Sequence, residues 1–110
     1  MAQTLDFNKF KKNYLTIVLP DEDKTRLQVM TPTKRLLTEL ATMLPDTTDG
    51  LPSEEDLNAL YAFCARLMSR NKAAKKITGE QLAECLDFED LIAFFEIYTD
   101  FVNGVASSKN

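Results

Sequence analysis

Few side chains in this sequence are equipped for chemistry. Histidine is absent, which removes the usual general base near neutral pH and the commonest metal ligand. Ser53, Ser69, Ser107 and Ser108 therefore have no imidazole to activate them. Gly79 and Gly104 are isolated, so no glycine-rich loop cradles a phosphate. Residues 46 to 56 invite a calcium-loop reading, but aligning Gly50 with the obligatory glycine puts Pro45 at the first ligand position and Asp56 at the last, which fails the loop's requirements. Asp21, Glu22 and Asp23 read as a solvated turn. No catalytic activity, cofactor or metal is expected, and the remaining chemistry is that of surfaces.

Two surfaces stand out. Arg66, Arg70, Lys72, Lys75 and Lys76 lie in an eleven-residue stretch without an acidic residue. They read as a helix C-terminus plus loop, or as a basic patch for an anion. They could also meet the acidic last third of a second copy, residues 77 to 110, which hold seven acidic residues and one basic; that would support self-association. No aromatic residue is interleaved with the bases, so a stacking platform for nucleic acid is missing.

The second surface is aromatic. Leu91, Phe95, Tyr98, Val102 and Val105 recur at 4-3-4-3 spacing, and Phe88, Ile92, Phe94, Ile97 and Phe101 widen the seam. The apolar arc covers about 220°, well beyond the stripe a surface helix needs. Such a helix is either central to the core or buried on its second flank by a partner. On the second reading Phe94, Ile97, Tyr98 and Phe101 form a protein-binding surface, with Asp90 inside the same arc.

Net charge is −4 and the pI about 4.8, which disfavours nucleic-acid binding driven by an overall positive field. Residues 78 to 98 echo a helix-turn-helix, but the would-be reading helix offers Glu89, Asp90 and Glu96, which phosphates would repel. No apolar run approaches the ~20 residues of a membrane span, and the N-terminus has no signal-peptide core. Cys64 and Cys85, flanked by apolar residues, read as free thiols in a reducing compartment. A cytoplasmic protein fits these features.

The elements that position these groups follow from local signals. The chain has 110 residues, one domain's worth. Residues 1 to 12 read as an arm or a short turn of helix. Residues 13 to 31 read as a β-hairpin: the β-rich run Tyr14 to Leu19, turn residues Pro20 to Lys24, and Thr25 to Met30 with Leu27 and Val29 on one face. Residues 32 to 104 read as helical. Thr31 caps and Pro32 opens a first helix carrying Leu36, Leu37, Leu40, Met43 and Leu44, stopped by Pro45. After a loop, Ser53 caps a second helix with Glu54, Glu55 and Asp56 in its first turn. Thr78 with Gln81 resembles a capping box for a short third helix. Asp87, with Asp90 three residues on, caps the last, which runs to about Asn103-Gly104; residues 105 to 110 form a frayed tail. The fold class is thus mainly α, about four helices with a small N-terminal hairpin in a single domain.

A hairpin leading through Thr-Pro-Thr-Lys-Arg-Leu-Leu (31 to 37) into helices, closing on Leu-Asp-Phe-Glu-Asp-Leu-Ile-Ala-Phe-Phe-Glu-Ile-Tyr-Thr-Asp-Phe (86 to 101), resembles the small tail assembly chaperones of long-tailed phages and prophages of Gram-positive hosts. The resemblance covers about residues 14 to 104. It implies a protein encoded just before the tape-measure protein, which it keeps soluble until tail-tube subunits polymerise. It also implies self-association and a longer frameshifted form that contacts the tail-tube protein. No residue of known role in that family maps onto a position here. Two other classes stay open: a structural phage component such as a connector or tail-completion protein, and a DNA-binding regulator.

Overall fold

A computed structural model describes residues 4–7, 12–43 and 52–107. Two strands, β1 (Leu15–Val18) and β2 (Arg26–Val29), precede four helices: α1 (Lys34–Met43), α2 (Glu54–Ser69), α3 (Gly79–Cys85) and α4 (Phe88–Ser107). The chain is mainly α with one small hairpin.

The strands pair antiparallel with Leu15 opposite Val29 and Ile17 opposite Leu27. Leu27 and Val29 are buried and Arg26 and Gln28 exposed, so alternation directs one face inward. The turn is closed by a carboxylate: Asp21 accepts from the Thr25 N–H at 2.8 Å and from its hydroxyl at 2.6 Å. Lys24 takes the left-handed conformation this turn requires, at φ 49°.

A two-stranded ribbon is marginal alone, and here it is extended. The backbone after α2 runs along the outer edge of β2: Val29 bridges Asn71, Lys72 N–H donates to Gln28 O at 2.9 Å, and Met30 N–H to Arg70 O at 2.8 Å. Buried Asn71 fastens this turn, donating to Met68 O and Lys75 O and accepting from Lys75 N–H. The Ser69 hydroxyl accepts from Ile77 N–H at 2.9 Å and donates to Ala65 O.

Helix starts follow the local signals with one exception. Ser53 caps α2, accepting from Asp56 N–H at 3.1 Å. Thr78 and Gln81 form a reciprocal box on α3, and Asp87 and Asp90 do the same on α4, each carboxylate accepting the other's N–H at 2.9 Å. The first helix differs. Thr33, not Thr31, accepts from Leu36 N–H, and Pro32 precedes the cap instead of opening the helix. The cause is tertiary: Thr31 O accepts Arg70 Nε at 3.1 Å, which holds that segment against the end of α2. Leu44, Pro45 and the would-be calcium loop up to residue 51 lie outside the described residues, as do residues 1–3, 8–11 and 108–110.

The last helix also runs further than expected. It passes Gly104 and ends at Ser107. Gly104 is not in the left-handed conformation of a helix terminator, so nothing breaks the helix there. Gly79 has a different task. A Cβ on it would stand 3.3 Å from the Ala62 backbone, so its bareness lets α3 begin hard against α2.

The core is centred on Tyr98, Phe95 and Leu91 of α4, which meet Leu27 and Val29 of the hairpin and Cys64, Leu67 and Met68 of α2 in one cluster. Phe63 and Phe95 stack with ring centroids 6.3 Å apart. The Tyr61 hydroxyl donates to Leu86 O at 2.6 Å, tying α2 to the bend between α3 and α4.

Candidate protein-binding surface

The four aromatic-helix candidates divide between core and surface. Tyr98 is fully buried and Phe94 is 7% exposed. Phe101 is half-buried against the Tyr98 ring, 6.1 Å between centroids. Ile97 is 53% exposed. The reading on which all four face a partner is therefore corrected, and the core reading holds for two of them: Tyr98 and Phe94 belong to the core. The reason is the hairpin, which covers that flank of α4. The Tyr98 hydroxyl donates to Met30 O at 3.2 Å, and Phe94 lines the same groove as Ile17 and Leu19 of the hairpin. Burial pushes the Tyr98 hydroxyl pKa well above its ordinary value, with nearby Arg70 opposing.

Beside Ile97 lies a residue the sequence did not single out. Val18, at the end of β1, is 52% exposed. It hides in the run Tyr14 to Leu19, whose near-continuous apolar character masks which positions face out. Leu5, Phe7 and Leu37 are exposed as well, but Val18 and Ile97 share one feature, an open groove of about 280 Å³ between the hairpin and α4. Its lining is mostly apolar: Ile17 and Val18 come from β1, Phe94 and Ile97 from α4, Met68 from α2 and Leu86 from the bend between α3 and α4.

One end of the groove is acidic. Asp90 lines it and Pro20 leads from it into Asp21. The half-buried Cys85 thiol registers this charge: its pKa is raised by burial first, then by the carboxylates of Asp21 and Asp90. Tyr61 is raised likewise, by burial and then by Asp87 and Asp90. Cys64, deep in the core, is pushed up to about 12 by burial. Both cysteines are free thiols. Asp21 itself is held below its ordinary value of 3.8, chiefly by the Thr25 hydroxyl and then by the Thr25 N–H.

The five basic candidates do not converge on one point. Arg66 forks onto Glu39 of α1, at 2.7 and 3.3 Å, with its guanidinium 5.7 Å from the Phe63 ring centroid. Arg70 is spent on Thr31 O. The Lys72 ammonium sits 5.7 Å from the Tyr14 ring centroid. Lys75 and Lys76 are exposed on the loop. Contacts to three separate segments of the chain thus divide the run.

Among the described residues, no group of three or more histidine, cysteine or acidic side chains is placed to hold a metal. No helix there is long and apolar enough to cross a membrane. The chain matches no family model, no curated protein and no solved structure.

Proposed function

We propose that this chain is a phage tail assembly chaperone, acting in the host cytoplasm by binding and not by catalysis. Its client is the tape-measure protein, whose apolar segments it shields until tail-tube subunits enclose them. The observation that carries the reading is the apolar groove between hairpin and α4, with Val18 and Ile97 exposed at its rim. An apolar groove with apolar side chains at its rim is a surface on which a client's apolar segment would dock. The surrounding acidic surface, net −4 for the chain, would keep a loaded complex dispersed. Self-association and a contact with the tail-tube protein belong to the same proposal.

The test is co-expression with the tape-measure protein encoded beside the gene. Wild-type chain should hold that protein in the soluble fraction. A Val18→Asp, Ile97→Asp double variant should fold normally and lose this effect. A tape measure whose solubility ignores the chain overturns the reading. Recovery of the chain in finished tails would point to a structural component instead.

A further inference from the structure

We infer that the groove takes an extended apolar segment, carrying a basic residue at one end, which adds a strand to the open edge of β1. This rests on the chaperone reading and specifies how the client is held.

The hairpin has two edges, and they differ. The outer edge of β2 is covered by residues 70 to 72 through the bridge and the two hydrogen bonds described above. Among the described residues, nothing pairs with the outer edge of β1. Leu19 N–H donates to Thr25 O at 2.8 Å, so by the antiparallel alternation Leu15, Ile17 and Leu19 spend their backbone groups on β2. Thr16 and Val18 turn their N–H and C=O groups the other way. Exposed strand edges of this kind are templates for pairing.

That edge borders the groove. Ile17 and Val18 point to opposite faces of the ribbon, yet both line it. The groove therefore runs along the strand's edge instead of over one face. Phe94 and Ile97 line it from α4. A single extended segment fits this arrangement: its backbone pairs with Thr16 and Val18, and alternate side chains enter the apolar groove. Pro20, without an N–H, ends the pairing edge. Asp21 and Asp90 stand at that same end, so charge complementarity calls for a lysine or arginine there.

The probe is a seven-residue peptide of alternating valine and threonine with a lysine at each end, added to the wild-type chain and followed by amide hydrogen exchange. Exchange at Thr16 and Val18 should slow about tenfold or more on binding. Val18→Pro removes an outward N–H that β2 does not use, a change edge strands tolerate, and should weaken binding about tenfold. Replacing the peptide's lysines with glutamates should weaken it too. Failure to bind overturns the inference, as does binding that leaves Thr16 and Val18 exchange unchanged. Equal affinity for the glutamate peptide overturns the charge assignment. A dimer that protects these amides without peptide identifies a second copy as the occupant and overturns it as well. If a leucine-rich helical peptide fills the groove instead, or Val18→Pro still keeps the tape measure soluble, strand addition fails while the chaperone reading stands.

Discussion

The Tyr98 hydroxyl donates to the Met30 carbonyl oxygen, 68 residues away in sequence, at 3.2 Å. This contact joins the middle of α4 to the residue just after β2. It also explains how so aromatic a helix is distributed. The hairpin covers the Tyr98 and Phe94 flank, and Ile97 is left at its margin.

Tyr98→Phe deletes that hydrogen bond and leaves the ring. It should lower stability by about 1 kcal/mol, with a somewhat larger loss if Met30 O is left unpaired. Tyr98→Ala should cost about 3–5 kcal/mol, because the ring is fully buried and leaves a cavity. Urea denaturation followed by circular dichroism measures both, and a Tyr98→Phe variant as damaged as Tyr98→Ala would contradict this assignment.

Ile97 and Phe94 should separate surface from core within one helix turn. Ile97→Ser removes an exposed side chain and should change stability by no more than about 0.5 kcal/mol. Phe94→Ala should cost about 3–5 kcal/mol. In a tape-measure solubility assay Ile97→Ser should lose effect while still folded. Equal thermal melts for the two variants would show that the groove wall is not packed as described.

Acid should loosen the hairpin through Asp21. The Thr25 hydroxyl and N–H hold its carboxyl below 3.8 in the folded chain. A group depressed in this way contributes stability that is present above the unfolded pKa and lost as pH falls through the folded value. The contribution should therefore be full near neutrality, begin to fall near about pH 4 and be gone only once pH is below the folded value. Denaturation midpoints between pH 6 and pH 2 should fall less for Asp21→Asn than for wild type. Parallel curves would mean that Asp21 carries none of the slope.

The two thiols should titrate as different species. Both are free, but Cys64 is fully buried with its pKa pushed up to about 12, whereas Cys85 is half-buried. An aromatic disulfide reagent should label one thiol, Cys85, in the native chain and both in denaturant. Burial first, and then the Asp21 and Asp90 carboxylates, hold the Cys85 thiolate back, so added salt should speed the native reaction modestly by screening the carboxylates. Native labelling of Cys64 would refute the burial assigned to it.

What could be read from sequence here was local. The caps at Ser53, Thr78 with Gln81, and Asp87 with Asp90 follow from side chains reaching backbone three residues away. The hairpin and its inward Leu27 and Val29 follow from alternation and turn chemistry. What stayed hidden was set by distant partners. Arg70 takes Thr31 O and so moves the cap of α1 to Thr33. Glu39, Thr31 and Tyr14 divide a basic run that looks continuous in one dimension. Periodicity draws the wide apolar arc of α4, but the flank the hairpin covers is decided by tertiary packing, so periodicity alone does not part Phe94 and Tyr98 from Ile97. Nothing local marks Val18, because its neighbours are apolar too.

Thr99 supplies a last test, inside the same helix. Its Oγ1 is buried and, among the described residues, has no hydrogen-bond partner. A helical threonine ordinarily returns its hydroxyl to a carbonyl one turn back, as Thr38 does to Lys34 O at 3.0 Å. An unpaired buried hydroxyl costs its desolvation, about 1–3 kcal/mol. Thr99→Val keeps the shape, replaces the hydroxyl with a methyl and keeps β-branching, so helix propensity barely changes. It should raise stability by about 1 kcal/mol, roughly a 4–8 °C gain in melting temperature for a domain of this size. Thr38→Val, at an exposed and hydrogen-bonded position, is the control and should gain nothing. A loss of stability in Thr99→Val would mean that the hydroxyl is paired in solution, and that α4 is wetter on this side than its packing indicates.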